Sequence, residues 1–419
     1  MRRRLRLVHH HASLANAQAI YPFLTGGGLG APGVFIGVDH LAGGAPFAFD
    51  PFDAYAAELV TNPNALIVGE PGTGKSATVK ALLSRACAVR NRWAAVCDPK
   101  GEYLELAATL GYSTLRLAPG GSSRINPLDP GPAAGEVGTA EVARRQAAMV
   151  AALAGAVLAR ELLPLEDAAI GWALTHLSTT RNATLHDLVR LLVSPTTHMA
   201  SLAGRTPSEL AHTIESARFA LGKLLDRSLR GMFDTQTTHP IDWDAPGIVI
   251  DLSAVHGDPE ALRAVLVATT GWLTAALAAP DGPRRILVLD EAWAVLADPR
   301  TARFLQASFK LGRAQGVANI AVVHRLSDLR AQADDGTATS KVAAGLLADA
   351  ATRIVFRQAA DQAPDARALL GLTEPETDLI GRLARGRALW KVGAHTAVVS
   401  TYLANSDRDL ADTDHRMRP

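Results

Sequence analysis

The sequence predicts an α/β domain with a mostly parallel sheet and an all-helical insertion. Three observations predict it. Short apolar runs alternate with helix-forming segments from Asn64 onward. A glycine-rich loop joins one of these runs to a helix. Residues 135 to about 235 carry helical periodicity and no clear strand. Strands joined by helices imply parallel pairing, and a parallel sheet is buried on both faces, so its strands read as unbroken apolar runs.

The elements follow in order. Residues 1–30 form a basic arm with Arg2, Arg3, Arg4 and Arg6, then a histidine cluster, His9 to His11, and an Ala- and Gly-rich stretch. Such a composition reads as a flexible arm able to touch anionic lipid or a partner. Residues 31–134 are the first part of the core. They begin with Gly33 to Phe49, where two apolar runs flank a Gly/Asp/Pro-containing turn and predict a β-hairpin. The core strands are expected at Ala65–Val68, Trp93–Cys97, Ser113–Leu117, Ile248–Leu252, Ile286–Leu289, Ala318–Val323, Ile354–Phe356 and Ala388–Val392, with a last extended piece at Thr396–Tyr402. Residues 135–240 are the helical insertion. Leu-rich segments at 161–177, 184–193 and 208–225 fit a period near 3.6. Residues 241–405 complete the core, and 406–419 form a tail.

Composition excludes several classes. With 419 residues the chain is too long for a small binding module, and 48% hydrophobic against 20% charged residues supplies an ordinary globular core. Lysine plus arginine number 42 against 41 acids, so no overall field attracts polyanions, and aromatics at 5% do not build a base-stacking surface. Cys87 and Cys97 match no metal or redox spacing; the expectation is two buried thiols in a reducing cytosol. The longest apolar run, Ala147 to Ala159, falls short of the ~20 residues that span a bilayer. No secretory leader and no membrane crossing are expected.

The strongest signal is Gly69-Glu70-Pro71-Gly72-Thr73-Gly74-Lys75-Ser76, a full match to G-x-x-x-x-G-K-[ST]. An apolar strand precedes it. A helix-forming stretch follows from Ser76 to Val89, with Val79, Leu82, Leu83 and Ala86 on one face. A helix N-terminus offers unpaired N–H groups and the positive end of a dipole to a triphosphate. Glycines let the backbone approach the phosphates where a Cβ would clash. Gly69 to Ala77 are therefore the candidate ATP-binding residues. Lys75 is expected on the β- and γ-phosphates and the Ser76 hydroxyl on Mg2+. The class implied is a P-loop NTPase.

A nucleotide site also needs a carboxylate opposite the loop. The strand Ile286–Leu289 ends in Asp290 and Glu291, the Walker B pattern. Asp290 is expected in the Mg2+ shell, and Glu291 is expected to polarise the attacking water. Asp98 and Glu102 follow a neighbouring strand. They read either as a contact to Mg2+ or water, or as an Asp turn with a helix-capping Glu.

At this point the residues resemble a known family. Asp290-Glu291-Ala292-Trp293 is similar to the D-E-A-W signature of the VirB-four/TraC-like ATPases of type IV secretion and conjugation, in the HerA–FtsK branch of P-loop motors. Asp98-Pro99-Lys100-Gly101-Glu102-Tyr103 resembles that group's D-P-x-G-E-Y, and Ile125-Asn126-Pro127-Leu128-Asp129 its I-N-P-L-D. The helical stretch followed by Ile250-Asp251-Leu252-Ser253 sits where the family has the same arrangement, and the likeness runs from about Val34 to Leu403. It implies a RecA/HerA–FtsK-like fold and an ATP-hydrolysing, Mg-dependent motor. It further implies a ring, expected as a hexamer, working with membrane-embedded secretion or conjugation components at the inner face of the cell membrane. A DNA-threading translocase and a nucleotide-gated scaffold with little turnover are the alternatives, so DNA enters as a candidate partner.

Departures from the pattern are informative. Only 68 residues precede Gly69, so most of the family's N-terminal domain is expected to be missing or to lie in another chain. Where the family has a γ-phosphate-sensing glutamine, this chain has His324 followed by Arg325. Histidine can donate one hydrogen bond to a phosphate oxygen, or it can simply cap the strand. The resemblance places Arg313 as the arginine given to a neighbour's γ-phosphate, with the second basic position of the family's pair taken by Ala314, and with Arg353 and Arg357 as rivals.

Overall fold

The computed structural model describes residues 28–131, 138–226, 229–238, 241–277, 282–296, 299–324, 345 and 349–411. The arm at 1–27 and the tail at 412–419 fall outside the described residues.

Among the described residues, eleven strands form one sheet. They are β1 (Val34–Asp39), β2 (Ala45–Phe49), β3 (Ala65–Val68), β4 (Trp93–Asp98), β5 (Ser113–Arg116), β6 (Gly247–Asp251), β7 (Arg285–Leu289), β8 (Val317–Val323), β9 (Thr352–Val355), β10 (Arg387–Val392) and β11 (His395–Thr401). Their spatial order is β2-β1-β11-β10-β9-β3-β8-β7-β4-β6-β5. From β9 to β5 every pairing is parallel, with Ala65 opposite both Ile320 and Thr352 and Val96 opposite both Val249 and Val288. From β9 outward through β10, β11, β1 and β2 every pairing is antiparallel. The expected hairpin therefore forms, and it joins the last strands of the chain at a single sheet edge.

Strand residues alternate between two cores, as the two-residue period of a strand requires. Ala65, Ile67, Ala94, Val96, Ile286, Val288, Ile320 and Val322 face one side. There they meet the helix Lys75–Arg90 through Val79, Leu82, Leu83 and Ala86. Leu66, Val68, Ala95, Cys97, Leu287, Leu289, Ala321 and Val323 face the other. There they share a core with the helices Pro259–Leu277 and Pro299–Gly312 and with the helices that lie between β5 and β6.

That intervening stretch contains Thr139–Leu158, Pro164–Leu177, Leu185–Val193, Thr197–Leu202, Pro207–Thr213 and Glu215–Lys223, with no strand among the described residues. Local signals start these helices. Thr184, Thr196 and Thr206 each accept a backbone N–H from the first turn, and Asp187 and Glu209 complete reciprocal caps. Thr139–Leu158 supplies Met149, Val150, Leu153 and Ala154 to the shared core. No helix among the described residues is long and apolar enough to cross a membrane.

Candidate nucleotide site

The C-terminal ends of β3, β8, β7 and β4 stand side by side, and each feeds one element of the site. After β3 comes the loop Gly69–Gly74, after β8 His324, after β7 Asp290 and Glu291, and after β4 the turn Asp98–Tyr103. Adjacent strands are ~4.8 Å apart, so the row places residues some 250 positions apart in sequence within side-chain reach.

The loop is tight. A Cβ on Gly69 would lie 2.4 Å from Cβ of Phe356, and Gly74 has φ +112° with the backbone of Gly386 3.1 Å from where a Cβ would sit. Gly386 N–H also donates to the carbonyl of Thr73 at 2.8 Å, bracing the loop against the turn before β10. Thr73 Oγ1 donates to the carbonyl of Glu70 at 2.7 Å. Lys75 is buried and its ammonium donates back to the carbonyls of Gly69 (2.6 Å) and Glu70 (2.9 Å). Burial pushes Lys75 down to about 8, against the pull of Asp290 and with repulsion from Lys100. Ser76 and Ala77 open the helix half-buried, while Pro71 and Gly72 are exposed.

Asp290 and Glu291 are 3% and 2% exposed, yet their environments drive them apart. Asp290 accepts the N–H of Glu291 at 2.9 Å. Burial pushes it up to about 7, reinforced by the carboxylates of Glu291, Glu102 and Asp98. Burial opposes ionisation of Glu291 too, but His324 and Lys100 overcome it and hold the carboxyl down at about 2. His324 Nε2 lies 2.6 Å from Glu291 Oε1, and the Lys100 ammonium contacts the same oxygen. An ionised carboxylate only accepts, so Nε2 carries the hydrogen and donates to Glu291. Lys100 Nζ, 3.1 Å from that same Nε2, then has Glu291 as its acceptor. Glu291 also holds φ at +53°, a left-handed backbone uncommon for a residue with a side chain and typical of functional turns.

The turn after β4 is built on Asp98. Asp98 is fully buried and spends both oxygens on its own turn. Oδ1 accepts the N–H groups of Lys100 (3.2 Å) and Glu102 (3.1 Å), and Oδ2 that of Tyr103 (2.8 Å). Burial still pushes it up to about 6 against those three bonds. Asp98 is the clamp of the turn that presents Lys100.

The arginines are placed unequally. Arg313 is exposed just beyond the helix Pro299–Gly312, at the end where β8 begins. Seven residues of β8 separate that end from the phosphate loop, roughly 20 Å at strand rise, so Arg313 does not reach its own chain's site. Arg353 is committed inside the fold, donating to the carbonyl of Leu370 at 2.7 Å. Arg357 stands at the loop, with its carbonyl accepting Glu70 N–H at 3.2 Å and its Nε 3.6 Å from Glu70 Oε2.

Sequence reasoning missed Lys100 and the turn around Gly386. The signal for Lys100 was a basic residue in the turn after a core strand. Gly386 sits 312 residues beyond Gly74 and had no local signature.

The arrangement defines a class, the α/β P-loop NTPase fold with a mostly parallel sheet. Solved structures share it. VirB4 of Thermoanaerobacter pseudethanolicus superposes with a TM-score of 0.70 at 22% identity, over 90% of this chain and 98% of that one. The plasmid coupling protein TrwB in complex with ADP and Mg2+ gives 0.62 at 16% identity, over 96% and 95%. TrwB with the non-hydrolysable ATP analogue ADPNP gives 0.61 at 17%, over 94% and 93%. No protein-family model and no curated protein matches the sequence. The expected resemblance to the VirB-four-like ATPases is borne out in the fold.

Proposed function

We propose that this chain is a Mg-dependent ATPase that powers conjugative DNA transfer or type IV secretion as a ring oligomer, hexameric by resemblance. It would act in the cytoplasm against membrane-embedded components at the inner face of the membrane. The observation that carries the reading is the buried row of Lys75, Asp290 and Glu291 along adjacent strand ends. Perturbed, opposed ionisable groups at the C-terminal edge of a parallel sheet mark a site built for a charged ligand. TrwB structures holding ADP with Mg2+ and an ATP analogue support the choice of nucleotide.

The residues fit the ligand. Lys75 spends its hydrogen bonds on loop carbonyls, and a triphosphate offers better acceptors in the same place. A hard divalent cation suits the Ser76 hydroxyl and the Asp290 carboxylate, and Mg2+ would neutralise phosphate charge there. Gly69 to Ala77 cradle the phosphates, and Glu291 takes the proton of the attacking water. The water oxygen bonds to the γ-phosphorus as the bond to the β–γ bridging oxygen breaks, and the proton passes to the released phosphate. His324 lies between loop and glutamate, on the strand next to β3, where a γ-phosphate oxygen would meet its N–H. Arg313 serves a neighbouring subunit's phosphate, a role its distance from its own loop supports. The helical segment 135–240 transmits closure of the ring.

The test is phosphate release from Mg-ATP. Lys75→Ala should abolish binding, and Glu291→Gln should bind ATP yet lose about 100-fold or more in turnover. Wild-type turnover no faster than Glu291→Gln would leave only a nucleotide-gated scaffold. A many-fold, salt-sensitive stimulation by DNA would identify DNA as the cargo.

A further inference from the structure

Lys100 lies outside the residues assigned to the nucleotide above. Its backbone is fixed, because Asp98 holds its N–H and those of Glu102 and Tyr103. Its side chain is the movable part, 30% exposed on a four-carbon stem. That stem crosses the mouth of β7 to reach both Glu291 Oε1 and, at 3.1 Å, Nε2 of His324, which caps the strand beside the phosphate loop. Two donors thus converge on one carboxylate oxygen, one from each side of β7. Lys100 is also close enough to Lys75 for the two ammonium charges to oppose one another. The cleft therefore gathers two lysines and a histidine N–H. A diphosphate can engage Lys75. A third phosphoryl group would extend from there toward His324, on the next strand end, and the Lys100 ammonium beside it.

We propose that Lys100, which here contacts Glu291, is a γ-phosphate ligand, and that it and His324 release that carboxylate to the attacking water when a triphosphate arrives. The inference rests on the ATPase reading and deepens it: it names the group that distinguishes ATP from ADP and couples that distinction to the base. In contact with Glu291, Lys100 keeps that carboxylate engaged. Transferred, it neutralises charge on the phosphoryl oxygens in the transition state.

The experiment compares the full-length wild type, Lys100→Met and Lys100→Arg by calorimetric titration with ADP and with ADPNP in Mg2+, beside steady-state ATP hydrolysis. Lys100→Met should bind ADP within about twofold of wild type, bind ADPNP about 10-fold more weakly, and lose about 100-fold in kcat. Lys100→Arg should recover most of both losses, since a cation of similar reach remains. An unchanged ratio of ADPNP to ADP affinity in Lys100→Met overturns the proposal, whether kcat stays level or rises; a rise would make Lys100 a restraint on Glu291 and nothing more. Should Lys100→Met melt well below wild type, Lys100→Gln gives the same comparison with a polar stem. Failure of the broader reading is separable, because there the wild type itself neither binds ADPNP nor releases phosphate.

Discussion

Two regions of this molecule bury charge in opposite ways. In the helical stretch between β5 and β6, Glu166 is 1% exposed, and the chain satisfies it completely. Arg160 grips both carboxylate oxygens at 2.7 Å, and the N–H of Leu163 donates to one of them at 2.7 Å. The pair caps the helix Pro164–Leu177 and needs nothing from outside. At the C-terminal ends of the central strands Lys75 and Asp290 are buried too, but Lys75 spends its hydrogen bonds on loop carbonyls and Asp290 sits among the carboxylates of Glu291, Glu102 and Asp98. Incompletely compensated buried charge costs several kcal/mol per ion, so a fold keeps it where a ligand is to complete the site. The contrast separates burial for architecture from burial for chemistry.

The sharpest way to break that contrast is to spoil the edge without touching a charge. Gly69→Ala places a methyl 2.4 Å from Cβ of Phe356 and 3.0 Å from Thr73 Oγ1. Phe356 is fully buried behind the loop and has nowhere to go. The loop must move instead, at about 1–3 kcal/mol of overpacking. We expect nucleotide affinity to fall by about 100-fold or more while circular dichroism stays native. Wild-type affinity in this variant would mean the cradle is looser than its contacts imply.

A middle-sized effect probes the other region. Glu166→Gln removes the charge that Arg160 grips. Breaking a buried pair costs ~3–5 kcal/mol, but Arg160 is 37% exposed and partly hydrated, so about 2 kcal/mol is expected. The sign with pH follows from the same contacts. Bonding to Arg160, against burial, holds Glu166 below the ordinary glutamate value of 4.5. Its contribution is therefore present above pH 4.5 and disappears as pH falls through the depressed folded-state value. The melting temperature of wild type should decline in that acid window, and Glu166→Gln should decline less. Parallel acid profiles would show that the pair contributes nothing measurable.

Much of this was legible in the sequence, for physical reasons. Ala65–Val68 coincides with β3, and Trp93 and Ile286 fall within a residue of their strand starts, because strands buried on both faces are nearly pure apolar runs. Gly69 to Ser76 was readable because the phosphate cradle is local. What escaped is non-local. Lys100 meets His324 across 224 positions, and only the order of strand ends brings them together. The pairing of β1 with β11 joins Val38 to Ser400, and neither strand's pattern names its partner. Asp98 could be read as turn or ligand until its three backbone donors were seen.

One residue crosses the boundary between the two regions. Arg145 lies on the helix Thr139–Leu158 and lines a largely apolar cavity of about 80 Å³ with Met149, Thr274, Phe304, Ser308 and Leu311. Its Nε and both Nη atoms are buried, and none has a hydrogen-bond partner among the described residues. Asp129, on the same wall, already spends its oxygens on Gly131 N–H and the Thr237 hydroxyl. Burial accordingly lowers the guanidinium's affinity for its proton. If architecture alone governs this part of the fold, the charge is a liability and an apolar side chain of similar length should be better. Arg145→Met is then expected to stabilise by about 1–2 kcal/mol, a gain of about 2 °C or more in melting temperature. A loss of stability would place an anion against the guanidinium in solution. Arg145 would then belong with Lys75, as a buried charge that waits for its partner.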